Sequence, residues 1–71
     1  MNLSDKIMIL LRMCGMKQSD LMEPLGMSSK QSLSNKFGGC RWSAEDLKIV
    51  ADVTGSTLCF LLPDGQKLNI N

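Results

Sequence analysis

A chain of 71 residues that is 44% hydrophobic, 21% charged and close to neutral (net charge +1) makes one small domain with a thin stability margin. Three widely spaced cysteines, no histidine and no Cys-x-x-Cys pair exclude a disulfide framework and leave no ligand set for zinc. The chain therefore reads as reduced and cytoplasmic, with oligomerisation as its expected reinforcement and net charge alone making no case for nucleic acid.

The first predicted helix starts at Leu3-Ser4-Asp5, with Ser4 as cap, Asp5 at the positive end of the helix and Leu3 stapled onto Met8. Ile7, Leu10, Leu11 and Cys14 then make one apolar stripe, and Gly15 sits where a left-handed stop belongs. The apolar run from Ile7 to Leu11 is too short and too closely flanked by charge for a signal peptide or membrane span, so no membrane partner is expected. Residues Lys17 to Leu25 predict a shorter helix with Leu21, Met22 and Leu25 inward, ended or kinked near Glu23 by Pro24 and stopped by Gly26.

Residues 26–39, GMSSKQSLSNKFGG, are crowded with polar side chains, yet Leu33 and Phe37 stand four apart and share a helix face. Ser28 or Ser29 can cap this helix, expected over 29–37, and Gly38-Gly39 would end it. At about 100° per residue, Gln31 and Asn35 point away from the core with Ser28 and Ser32 near them, and Lys30, Ser34 and Lys36 flank them. Between residues 24 and 44 the charges are Lys30, Lys36 and Arg41, with no acid. A last helix opens at Ser43 with Asp46 completing a capping box and Trp42 stapled to Leu47; Leu47, Val50, Ala51 and Thr54 carry its stripe to Gly55.

The tail changes period. Leu62-Pro63-Asp64-Gly65-Gln66 suits a turn with Pro second and a left-handed Gly fourth. Such a hairpin pairs Leu62 with Gln66, Phe60 with Leu68 and Leu58 with Ile70, separating an apolar face from one bearing Cys59, Leu61, Lys67 and Asn69. Because a lone hairpin is marginal in water, it is expected to lie over the helices and beside a partner's hairpin. The methionines read as core filler and the three cysteines as small buried hydrophobes.

Residues 3–55 resemble the Cro and repressor type (XRE-like) helix-turn-helix family. The resemblance rests on Ile7, on Gln18 with Leu21 three residues on, on Gly26-Met27-Ser28 in the turn, on Leu33 and Phe37, and on the Trp42-to-Val53 helix. It implies a mainly α, lambda-repressor-like fold of four to five short helices plus the C-terminal β-hairpin, with helix 29–37 in the major groove of DNA. By the same resemblance Lys30, Gln31, Ser34 and Asn35 reach base edges, which suits amide, ammonium and hydroxyl chemistry. Gln18 contacts phosphate, joined by the cations Lys17, Lys36 and Arg41 and by the helix start at Ser28 and Ser29. The chain departs from the family at Lys17, at Met22 where a small residue is usual, at Pro24, and in a turn one residue longer.

The function implied is a sequence-specific double-stranded DNA-binding regulator, a repressor by the family's default, acting as a homodimer through Cys59, Phe60, Leu61, Leu68 and Ile70. The competing reading is a helix-turn-helix-derived protein-interaction module or antitoxin-like partner with weak or no DNA binding. Catalysis is not expected, because histidine and tyrosine are absent and the carboxylates fall at caps, turns and helix surfaces. No cofactor or small-molecule ligand is expected.

Overall fold

The computed structural model describes residues 1–71. Helix α1 spans Leu3–Met13, and its cap is Asn2 rather than Ser4. Asn2 Oδ1 accepts the Asp5 N–H at 3.0 Å while Asp5 Oδ2 accepts the Asn2 N–H at 3.2 Å, a reciprocal box that satisfies both ends. Ser4 is thereby released into the first turn, where it is buried and bonded elsewhere. Ile7 and Leu11 are buried and Leu10 packs beside them, but Cys14 has run past the core and is exposed.

The helix expected over 17–25 forms only as a 3-10 helix, Gln18–Leu21. One further turn follows, closed by the Leu25 N–H on the Leu21 carbonyl at 3.0 Å and ended by Gly26. Pro24 has no N–H to continue the ladder. Leu21 is the most buried residue of the chain, with Met22 and Leu25 packed against the core.

Helix α2, Lys30–Gly39, starts on Ser29, whose Oγ accepts the Ser32 N–H at 3.2 Å. The glycine pair does not end it; both glycines are helical and the left-handed residue is Cys40, at φ 52°. A Cβ on Gly39 would come within 3.1 Å of Arg41 Nε, so the Arg41 side chain lies close over this glycine and would have to shift slightly for a larger residue. The same closure recurs at four segment ends, where the next residue donates to a carbonyl five back: Met16 to Leu11, Met27 to Met22, Arg41 to Lys36 and Ser56 to Ala51. Glycine holds the left-handed position at 15, 26 and 55; only Cys40 carries a side chain there.

Helix α3, Ala44–Thr54, begins with the Ser43–Asp46 capping box and ends at Gly55. Ile7, Leu11, Leu21, Leu33, Phe37 and Val50 form the core, with Met8, Met16, Met22 and Met27 filling around it; Met1 and Met13 lie outside, exposed. No cysteine is buried: Cys14 is exposed, and Cys40 and Cys59 are half-buried.

Strands β1, Cys59–Leu61, and β2, Lys67–Asn69, pair antiparallel in the expected register, Phe60 opposite Leu68. The bonds Leu62 N–H to Gln66 O (2.8 Å) and Ile70 N–H to Leu58 O (2.7 Å) extend it, and Gly65 takes the left-handed turn position at φ 90°. The hairpin does not lie over the helices. Phe60, Leu61 and Leu68 are all exposed, and the molecule measures 42 × 22 × 21 Å. Its root is tied by Asn71, which accepts the Leu58 N–H at 2.7 Å and donates to Asp52 Oδ1 at 3.1 Å. The architecture is thus mainly α: three helices, one 3-10 turn and a C-terminal hairpin. No helix is long and apolar enough to cross a membrane.

Candidate nucleic-acid interface

With Leu33 and Phe37 anchored in the core, helix periodicity leaves Lys30, Gln31, Ser34 and Asn35 on the outer side of α2, all four exposed. Gln31 Nε2 donates to Asn35 Oδ1 at 3.0 Å, a bond between residues one turn apart. The bond fixes which amide atoms remain free. Gln31 keeps its oxygen and one N–H, an acceptor for adenine's N6 amino group and a donor for its N7, while Asn35 keeps both N–H donors and the second lone pair of its oxygen.

A polar groove of about 740 Å³ runs beside this face, lined by Met27, Ser32, Ser34, Asn35, Lys36, Gly38, Gly39 and Arg41, its serines and glycines leaving room for a ligand backbone beside α2. A second recess of about 380 Å³ lies between the 3-10 helix and α2, bordered by Lys17, Gln18, Ser19, Lys30 and Ser34. The chain's two ion pairs are Lys36–Asp46 and Lys48–Glu45, so Lys17, Lys30 and Arg41 carry no carboxylate partner. These three cations frame the outer face of α2 and its two hollows.

Other residues expected at this surface are turned to different work. Gln18 Nε2 donates to Met8 Sδ at 3.2 Å, bracing the 3-10 helix on α1 and leaving its oxygen free. Ser29 Oγ is held by the cap and by Ser32 Oγ at 2.9 Å, whereas Ser28 is exposed. The Lys36 ammonium points inward, to Asp46 Oδ2 at 2.6 Å and the Arg41 carbonyl at 2.9 Å, and lies 5.4 Å from the Trp42 ring. Burial alone would raise the Asp46 carboxyl pKa, but hydrogen bonds from Lys36 and the Ser43 N–H and the Lys36 charge outweigh it and hold the group below its ordinary range. Cys59, Phe60, Leu61, Leu68 and Ile70 belong to the hairpin and border neither hollow.

Behind the face sits a network that local sequence patterns do not reveal. Ser4 Oγ donates to the Phe37 carbonyl at 2.7 Å and accepts the Trp42 indole N–H at 2.9 Å. Trp42 meets Phe37 edge-on, centroids 4.9 Å apart, so the end of α2 is fixed to α1 and to the entry of α3. The partners are more than thirty residues apart in sequence, and the one local hint is an indole beside a helix start. No group of three or more His, Cys, Asp or Glu side chains comes together to hold a metal. Comparison with protein-family models, with curated proteins and with solved structures finds no match to the chain.

Proposed function

We propose that the chain is a sequence-specific double-stranded DNA-binding regulator of the helix-turn-helix type, acting as a homodimer and repressing by occupying its site. In this reading the 3-10 helix, the turn 22–29 and α2 make the motif, and α2 enters the major groove. The observation that carries it is the outer face of α2: acid-free, with the Gln31–Asn35 amide pair between cations that no carboxylate neutralises. Solvated helix faces ordinarily carry Glu and Lys in alternation, and an unneutralised cationic rim around amides suits a polyanion with readable edges. Lys30, Gln31, Ser34 and Asn35 would address base edges. Lys17, Arg41 and the N–H groups at the start of α2 would hold phosphates. Lys36 leaves the phosphate set and instead fixes α2 to α3.

Selection of bound sites from a random duplex pool tests this reading. A two-fold symmetric sequence with half-sites about 34–36 Å apart is the expected result. A pool that enriches nothing overturns it and leaves the protein-interaction module as the better account.

A further inference from the structure

The cationic surface beside α2 does not stop at Lys17. Beyond it lies a recess of about 220 Å³ at the end of α1, lined by Met8, Leu11, Arg12, Met16, Lys17 and Gln18. Lys17 and Gln18 also border the hollow between the 3-10 helix and α2, so the two recesses adjoin across these residues. No carboxylate lines either one. The 3.2 Å bond from Gln18 to Met8 ties two walls of the α1 recess together, so its shape is set before any ligand arrives. Arg12 is exposed and, like Lys17 and Lys30, lies in neither of the chain's two ion pairs. Asp20, the acid nearest this edge in sequence, turns its Oδ2 to the Lys17 N–H at 2.9 Å.

We propose that the recess at the end of α1 is a DNA backbone site, where the Arg12 guanidinium holds a phosphate next to the one held at Lys17. This site rests on the DNA reading above and carries the footprint from the 3-10 helix onto α1. The usual reason for a cation in the last turn of a helix is the carbonyl end of that helix. Here those carbonyls are already taken: Leu10 and Leu11 accept the Cys14 N–H, Arg12 that of Gly15, and Leu11 that of Met16 as well. Arg12 is not needed to close α1, and its guanidinium stays available. Long cationic side chains lay their stems on apolar surface and keep the charged head in water, and Met8, Leu11 and Met16 supply that surface. A guanidinium then meets phosphate oxygens two at a time. The recess lies below the ~300–1,000 Å³ of small-molecule sites, which suits one group of a long ligand rather than a whole small one. Cations running from Lys30 through Lys17 to Arg12 match a polymer with a charge at every repeat.

The salt dependence of binding to a mixed-sequence duplex tests the site on the full chain. Arg12→Ala is expected to reduce the slope of log K against log salt concentration by about 0.9 for each bound copy, and to weaken all duplexes by the same factor. Arg12→Lys is expected to keep the slope, since charge sets it, and Lys67→Ala, on the hairpin, to leave it unchanged. An Arg12→Ala slope equal to that of wild type, or an equal loss in Lys67→Ala, overturns the inference and leaves the DNA reading standing. A wild type that binds no duplex at any salt concentration overturns both. Helical circular dichroism reports whether Arg12→Ala is folded. Should it unfold, the Arg12 Nε–H resonance of the wild-type chain decides. A shift on adding duplex that salt reverses supports the site, and a resonance that stays still overturns it.

Discussion

Lys36 belongs by sequence to a polar helix and by structure to the interior. Its side chain is 17% exposed, and Asp46, the Arg41 carbonyl and the Trp42 ring all receive its ammonium. Lys36→Met should therefore cost about 1–2 kcal/mol of stability, between the values of surface and buried pairs, while leaving the salt dependence of DNA binding unchanged; urea denaturation and binding isotherms at several salt concentrations measure the two. The partner gives a pH signature. The folded pKa of Asp46 lies below its unfolded value, so the pair contributes fully above the ordinary Asp value of about 3.9 and is lost as pH falls below it. Asp46→Asn should flatten the decline of the urea midpoint in that acid window and nowhere else.

Gln31 and Asn35 hold each other through one hydrogen bond, so their effects on binding should not add. Gln31→Ala is expected to cost about 1–3 kcal/mol on the selected site and to relax preference at one base position. The double variant should lose less than the sum of the two single ones. Strict additivity in that cycle would mean two independent contacts. Cys40, alone among the left-handed helix ends in carrying a side chain, is a second local test: Cys40→Gly should raise the denaturation midpoint.

Among the elements, those set by neighbouring residues were legible from the sequence. The hairpin register follows from strict alternation around Pro63-Asp64-Gly65, and a slip of one residue would have scrambled its faces. The Ser43–Asp46 box and the stops at Gly15 and Gly55 are likewise local chemistry. Two misreadings are choices between adjacent candidates. Ser4 and Asn2 both cap helices well, and the Phe37 carbonyl and Trp42 indole claim Ser4. Gly38-Gly39 and Cys40 compete to end α2, and the left-handed position falls on Cys40, with the Arg41 N–H closing on the Lys36 carbonyl. Asn2→Ala should accordingly destabilise by about 1 kcal/mol, measured by thermal or urea unfolding, as loss of a cap predicts. Of the outer face of α2, the four exposed residues were legible from Leu33 and Phe37. The inward turn of Lys36 and the bracing role of Gln18 were not, because their partners Asp46 and Met8 lie ten residues away in sequence.

Taken together, the chain has two surfaces that share no residues: a polar, cation-rimmed face on α2 and an apolar one on the hairpin and the α1–α3 cleft. In the proposed dimer a phosphate contact occurs once per copy, so Arg41→Ala should reduce the salt slope of binding by about two in all and weaken binding to every sequence alike. The most direct measurement is an amide ¹H–¹⁵N titration of the chain with a mixed-sequence duplex at low salt, since non-specific binding engages the same cationic face. Shifts are expected at Lys17, Gln18 and Ser19 and from Ser29 through Asn35, and added salt should reverse them. A spectrum in which those amides stay still, or in which only the hairpin moves, would contradict the assignment of α2 as the DNA-facing helix.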